Sequence, residues 1–232
     1  MNLEPLFLSL KLALCTCAIL LAFGLPLAYW IAFSRWRAKF FLEAAVALPL
    51  VLPPTVLGFY VLVAMGPRGP LGKFWQTLFG HGLAFTFEGL LMASVLYSFP
   101  FAVQPLIAAF EGVDRKLLEA SAVLGASRAR TFWRVILPLS VPGVVTALVL
   151  SFAHTLGEFG VVLMVGGDLP GVTRTISIAI YDHVQSLEYA EANRLAFILL
   201  AFSFAVLCAV YAVNRKVWRQ AGRSVWMPWA AK

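Results

Sequence analysis

Charged side chains are scarce in this sequence. Asp, Glu, Lys and Arg make up 12% of 232 residues, while 61% are hydrophobic. So few charges on so much apolar chain exclude an ordinary soluble domain and point to the bilayer. Cysteine is scarce too. Cys15, Cys17 and Cys208 all fall inside apolar stretches, which excludes a disulfide framework and leaves no thiolate metal site. There is no internal repeat, no low-complexity tract and no flexible linker. The net charge of +7 would suit nucleic acid, but the basic residues sit in short loops between apolar runs. That is the pattern of a membrane protein, and no nucleic-acid partner is expected.

What is present falls into five apolar runs: Leu6 to Phe33, Phe40 to Met65, Gly89 to Phe110, Val141 to Met164 and Leu195 to Val213. About 20 apolar residues suffice to cross the hydrocarbon. The first run is longer than a signal peptide's apolar region and lacks a basic leader, so it is expected to remain as a span. Lys11 near its start can snorkel outward, and Gly24 with Pro26 marks a bend.

The second run contains Pro49, Pro53, Pro54 and Gly58, with Thr55 behind the proline pair. Interior prolines remove helix hydrogen bonds, and a broken helix survives in lipid where neighbours or a hydrated path satisfy the freed carbonyls. A helix beside a translocation path and a kinked packing helix both fit. The third run carries Pro100. The fourth carries His154, Thr155 and Glu158, ionisable or polar groups at a depth where such residues are functional candidates by default. His154 and Glu158 stand four apart, are expected on one helix face and could pair. No third ligand is in register for a metal. Pro49, Pro53, Pro54, Thr55, Pro100, His154, Thr155 and Glu158 are therefore the candidates for a path or gate.

Gly66 to Phe87 reads as a polar loop. Gly66 to Lys73 superficially resembles a phosphate-binding loop, but its glycines are one residue too far apart and Phe74 stands where Ser or Thr must hold magnesium. No nucleotide is expected to bind there. Nor is there a nucleophile–base pair in register for an intramembrane enzyme. Between the fourth and fifth runs, Ile176, Ile180, Val184 and Leu187 predict a short outer helix.

Basic residues fix an orientation. Three lie in 34–42, five in 111–137 and five in the tail 214–232, against Arg68, Lys73, Arg174 and Arg194 on the other side. The chain is thus expected to be an all-α integral membrane protein of five transmembrane helices, one domain over 1–232, with its N-terminus outside and its C-terminus cytoplasmic.

One long polar, basic stretch interrupts the apolar runs on the cytoplasmic side, residues 111–138. Asp114 can cap a helix from Arg115 to Leu124, Gly125 fits a left-handed C-terminal position, and Ser127 can cap a second helix from Arg128 to Ile136 that Pro138 stops. Ala129, Phe132, Trp133 and Ile136 would share one face of that helix. Two short helices at a glycine turn make a rigid projection suited to a soluble partner.

Glu119, Ala120 and Ser121, then Gly125, then Val135, Leu137 and Pro138 follow the pattern EAA-x3-G-x9-I-x-LP, with Ser121 and Val135 as departures. This resembles the coupling loop of membrane subunits of ATP-binding-cassette importers. Glu43-Ala44-Ala45 also reads EAA, but Pro49 occupies the glycine position. The stretches Leu48 to Gly72, Glu111 to Ser127 and Gly157 to Ile176 further resemble the molybdate permeases of that class. Sulfate and tungstate permeases share the Gly157-Glu158-Phe159-Gly160 stretch and stay open.

The resemblance implies the type I importer permease (MetI-like) fold in a bacterial inner membrane, with Asp114, Glu119, Ala120, Ser121, Gly125, Arg128, Leu137 and Pro138 in the ATPase-coupling loop. It implies ATP and magnesium bound by a separate ATPase, with no cofactor in this chain, and an extracytoplasmic oxyanion-binding protein. Five helices make a wall, so a two-fold homodimer with the path on its axis and two ATPase subunits is expected. A charged Glu158 would repel an anion, which suits a structural or gating role. A secondary transporter would leave the EAA loop unexplained.

Overall fold

The computed structural model describes residues 3–226, and every regular element among them is helical. The first helix, α1 (Glu4–Phe33), opens with Glu4 and Pro5, an acidic first turn and a residue with no N–H to waste. At 1.5 Å per residue it is about 45 Å long, enough to cross a bilayer with tilt. Pro26 lies inside it, and the bend expected at Gly24 and Pro26 does not interrupt the helix. Lys11 is exposed, and its Nζ lies 4.2 Å from the centre of the Phe87 ring. Buried Ser9 donates to the Pro5 carbonyl and accepts from the Ile176 N–H at 2.8 Å.

The second apolar run is not one helix. It divides into α2 (Lys39–Val51) and α3 (Pro54–Met65), which meet at 111° around Leu52 and Pro53. Pro49 is accommodated inside α2, whereas the tandem prolines force the turn. The segment expected as a loop contains α4 (Pro70–Phe79), ended by Gly80 at φ 77°. A Cβ on Gly72 would lie 2.1 Å from the Gly66 carbonyl oxygen, so the glycines here serve a tight turn between helices.

Helix α5 (Phe87–Glu111) is capped by Thr86, whose hydroxyl accepts from the Gly89 N–H, and runs through the middle of the molecule. Its buried residues face three apolar clusters. Val103, Leu106 and Phe110 pack with Ala28 and Ile31 of α1; Ala93 packs with Val61, Met65 and Val165; and Leu90 packs with Leu12, Val162 and Ile178. After α5 come α6 (Arg115–Val123), α7 (Arg128–Thr131), a π-helical turn (Phe132–Ile136) and α8 (Leu137–Leu139). The expected stop at Pro138 is therefore corrected. The backbone stays helical through Leu139, and the wide turn just before the proline accommodates its ring and missing N–H.

The fourth run also departs from expectation. It forms α9 (Val141–Gly157) and α10 (Gly160–Gly166), broken at Glu158 and Phe159. The short helix expected after the fourth run, α11 (Ile176–Gln185), is present, but Ile176, Ile178 and Ala179 are its buried residues, and Leu187 lies beyond its end at φ 62°. The last helix, α12 (Tyr189–Trp226), continues past the expected boundary at Val213 into the basic tail, of which Lys232 lies outside the described residues.

By length and composition, Glu4–Phe33, Phe87–Glu111 and Tyr189–Ala209 can each cross a membrane. The total rises to five if α2 with α3 and Arg128–Leu139 with α9 each count as one bent span.

Candidate functional site

The projection at 111–138 is built from three local devices. Asp114 Oδ1 accepts the Lys116 N–H at 2.9 Å and starts α6. At its other end the Ala126 N–H donates to the Ser121 carbonyl and the Gly125 N–H to the Ala122 carbonyl, with Gly125 at φ 71°. This pair of bonds is the Schellman closure, which needs a left-handed residue where glycine stands. Ser127 then caps α7 by accepting the Arg130 N–H at 3.3 Å. Across the turn, Ser121 Oγ and Thr131 Oγ1 lie 2.8 Å apart and tie the two short helices together.

No residue of α6 is buried, and Glu119 and Ala120 are exposed. Val123 and Leu124 are 88% and 84% exposed, an apolar tip that the chain itself does not cover. Arg128 is exposed beside the turn, Leu137 is half-buried and Pro138 exposed. Behind the tip, the Phe132 ring meets Tyr29 of α1 at 5.1 Å and Phe110 of α5 at 6.1 Å. The turn is thus rooted in the first and third spans. Lys39 bridges Glu43 and Glu111 at 3.4 and 3.7 Å, holding α2 against the end of α5.

The second group of candidates centres on two helix breaks that touch. A Cβ on Gly160 would lie 2.7 Å from Pro54 Cβ, and one on Gly58 would lie 2.8 Å from Met164 Cβ. The absence of both side chains lets α3 approach α10. Pro53, Pro54 and Thr55 are exposed at that break; Pro49 is half-buried on α2, and Pro100 is buried in α5.

The expected pairing of His154 with Glu158 is overturned. The helix ends at Gly157, so Glu158 is extended and leaves the helical register. His154 Nδ1 instead meets Ser98 Oγ at 2.9 Å, and its ring stacks on Phe101 with centroids 3.9 Å apart. Ser98 Oγ also lies 2.9 Å from Thr155 Oγ1. Glu158 is only 5% exposed, and neither carboxyl oxygen has a hydrogen-bond partner among the described residues. Its backbone carbonyl accepts from Ser177 Oγ of α11 at 2.5 Å.

Sequence reasoning missed Ser98, Phe101 and Ser177, since a serine or phenylalanine inside an apolar run carries no signal of its partner. It also missed an ion-pair clasp. Arg174 bonds both carboxyl oxygens of Asp168, through Nε and, at 2.9 Å, through Nη2, and approaches Asp182 at 3.6 Å. Hydrogen bonding to Asp168, foremost, raises the pKa of the Arg174 guanidinium. The opposite charges six residues apart around Leu169-Pro170-Gly171 were the available clue.

A helical wall with an exposed, doubly capped helix–turn–helix matches a known architecture. The profile of the family described as binding-protein-dependent transport system inner membrane component matches residues 24–219. The chain belongs to this family. It is 52% identical over 214 residues to the molybdenum transport system permease protein ModB of Azotobacter vinelandii, covering 92% of this chain and 95% of that one. ModB of Escherichia coli K12 is 38% identical over 221 residues, covering 95% and 96%. A probable sulfate transport system permease protein of Prototheca wickerhamii is 34% identical over 199 residues, covering 86% and 78%.

Solved structures agree on the fold. A bacterial ABC transporter that imports alginate superposes with a TM-score of 0.73 at 18% identity, covering 93% of this chain and 80% of that one. An inward-facing MetNI methionine ABC transporter gives 0.71 at 17% identity, covering 93% and 95%. This inner membrane component therefore has the fold of ABC importer permeases and is a multi-pass transport subunit.

Proposed function

We propose that this inner membrane component is the permease subunit of an ATP-driven molybdate importer. The identity of 52% across 92% of the chain to a molybdenum transport permease carries the reading. The lower identity to a sulfate permease, 34% over 86%, makes sulfate the weaker alternative.

In this reading two copies enclose the path on a two-fold axis, with the N-terminus of each outside. Two ATPase subunits, which bind the ATP and magnesium, receive the two loops. Glu119 and Ala120 meet the ATPase surface, together with the exposed Val123–Leu124 tip. The Gly125 turn and the Ser121–Thr131 bond keep α6 and α7 one body. Closure of the ATPase pair would then move α7, the π turn and Phe132 together, and through them α1 and α5. Alternation between inward-open and outward-open forms follows as rigid-body motion of the halves.

An oxyanion crossing such a path needs hydroxyl and N–H donors, and loose rather than tight sites, so that it can leave. Recognition then belongs to an extracytoplasmic binding protein. The test is uptake by vesicles containing the chain with its ATPase and binding protein. ATP-dependent molybdate accumulation, competed by tungstate and little affected by sulfate, is expected. Efficient sulfate uptake without molybdate uptake would overturn the assignment.

A further inference from the structure

A concave surface lies apart from the two helix breaks. It is a groove of 1240 Å³ between the last turns of α1 and the segment formed by α7 and the π turn. Small-molecule sites usually enclose about 300–1,000 Å³, so this one suits a larger, elongated occupant. Its walls are apolar: Leu25, Pro26 and Trp30 on one side, Phe132, Trp133 and Ile136 on the other. Trp30 and Trp133 remain 45% and 64% exposed. Tryptophans with one wet and one apolar edge collect where the hydrocarbon meets the headgroups.

The polar end of the groove has one sign of charge. Arg35 and Arg128 line it, and no Asp or Glu does. Neither guanidinium has a carboxylate partner among the described residues. An apolar trough under two uncompensated arginines, at the level of an aromatic belt, is complementary to one class of molecule. Basic pockets between helices at a membrane surface hold acidic lipid headgroups.

We propose that this groove binds one anionic phospholipid per chain, with its phosphate between Arg35 and Arg128 and an acyl chain along Leu25, Pro26 and Ile136. The lipid would bridge the first span and the coupling segment, because Arg35 follows α1 and Arg128 begins α7. Its presence would set how firmly the π turn sits against α1. The site rests on the groove itself and is independent of which ion the transporter carries.

Native mass spectrometry tests the site on the full chain, alone and assembled with its ATPase subunit, after exposure to equal phosphatidylglycerol and phosphatidylethanolamine. One retained phosphatidylglycerol per chain is expected. Arg35→Gln should lower that preference about fivefold, the worth of one cationic side chain at an anionic lipid surface. Ala22→Trp fills the trough without touching the charges and should expel both lipids, while Arg68→Gln, distant in the chain, should change nothing. Equal retention of the two lipids, or unchanged retention in both groove variants, would overturn the proposal. Displacement by inorganic phosphate would reveal a free-anion site instead. Loss of the lipid when the ATPase binds would make the groove a protein interface.

Discussion

Gly160 stands against Pro54, so close that a methyl group on the glycine would come within 2.7 Å of the proline Cβ. The contact locks the break in α2–α3 to the break in α9–α10. One proline pair and one glycine, more than a hundred residues apart, thereby make a single structural joint.

Gly160→Ala should accordingly destabilise the fold by about 1–3 kcal/mol, the usual cost of overpacking a tight contact. Gly157→Ala, whose added Cβ meets nothing within 4 Å, serves as the matched control. Thermal unfolding of the two variants in detergent measures the difference. Equal melting would mean that the two breaks slide freely past each other.

Ser98 is expected to matter out of proportion to its size. Its hydroxyl joins His154 and Thr155, at 2.9 Å each. Ser98→Ala strands a buried hydroxyl and should cost about 1–3 kcal/mol. Ser203→Ala, a half-buried serine of the last helix with no such network, should be nearly silent in the same assay.

The turn at Gly125 has φ 71° with open space around it, so any penalty there comes from the backbone alone. Gly125→Val should cost about 1–2 kcal/mol locally and turn α7 away from α6. Insertion into the membrane should be normal, and substrate-stimulated ATP hydrolysis and uptake should fall together. Full coupled transport by this variant would remove residues 111–138 from the transmission path.

Orientation has its own test. In a background lacking Cys15, Cys17 and Cys208, Val172→Cys should react with an impermeant maleimide in intact cells. Ser127→Cys should react only after permeabilisation. Both positions are exposed, so access alone decides the outcome.

The segment 111–138 was the most legible part of the chain, because its devices are local. An aspartate, a glycine and a serine at fixed offsets each determine a cap or turn within a few residues. The π turn was not legible, since no residue type marks it and Pro138 argued for a stop. The break at Glu158 was also hidden. Gly157 and Gly160 are tolerated inside helices in lipid, and the close approach of Pro54 to Gly160 is a tertiary contact that no local pattern announces. His154 was expected on a face with Glu158 by helical periodicity, and the broken register dissolved that expectation. The second run was clearer, because tandem prolines break a helix wherever they fall.

The bond between Ser9 and Ile176 joins residues 167 positions apart. A ribosome makes the serine near the beginning and the isoleucine only after three quarters of the chain. Until then the Ser9 hydroxyl, buried in the finished protein, lacks its Ile176 partner, although the same helix can already pack Leu12 against Leu90 of α5. The first turns of that helix therefore gain this buried bond only once α11 has been made. Closure of this end of the molecule becomes a late step of assembly, one that a chain stalled before Ile176 cannot complete.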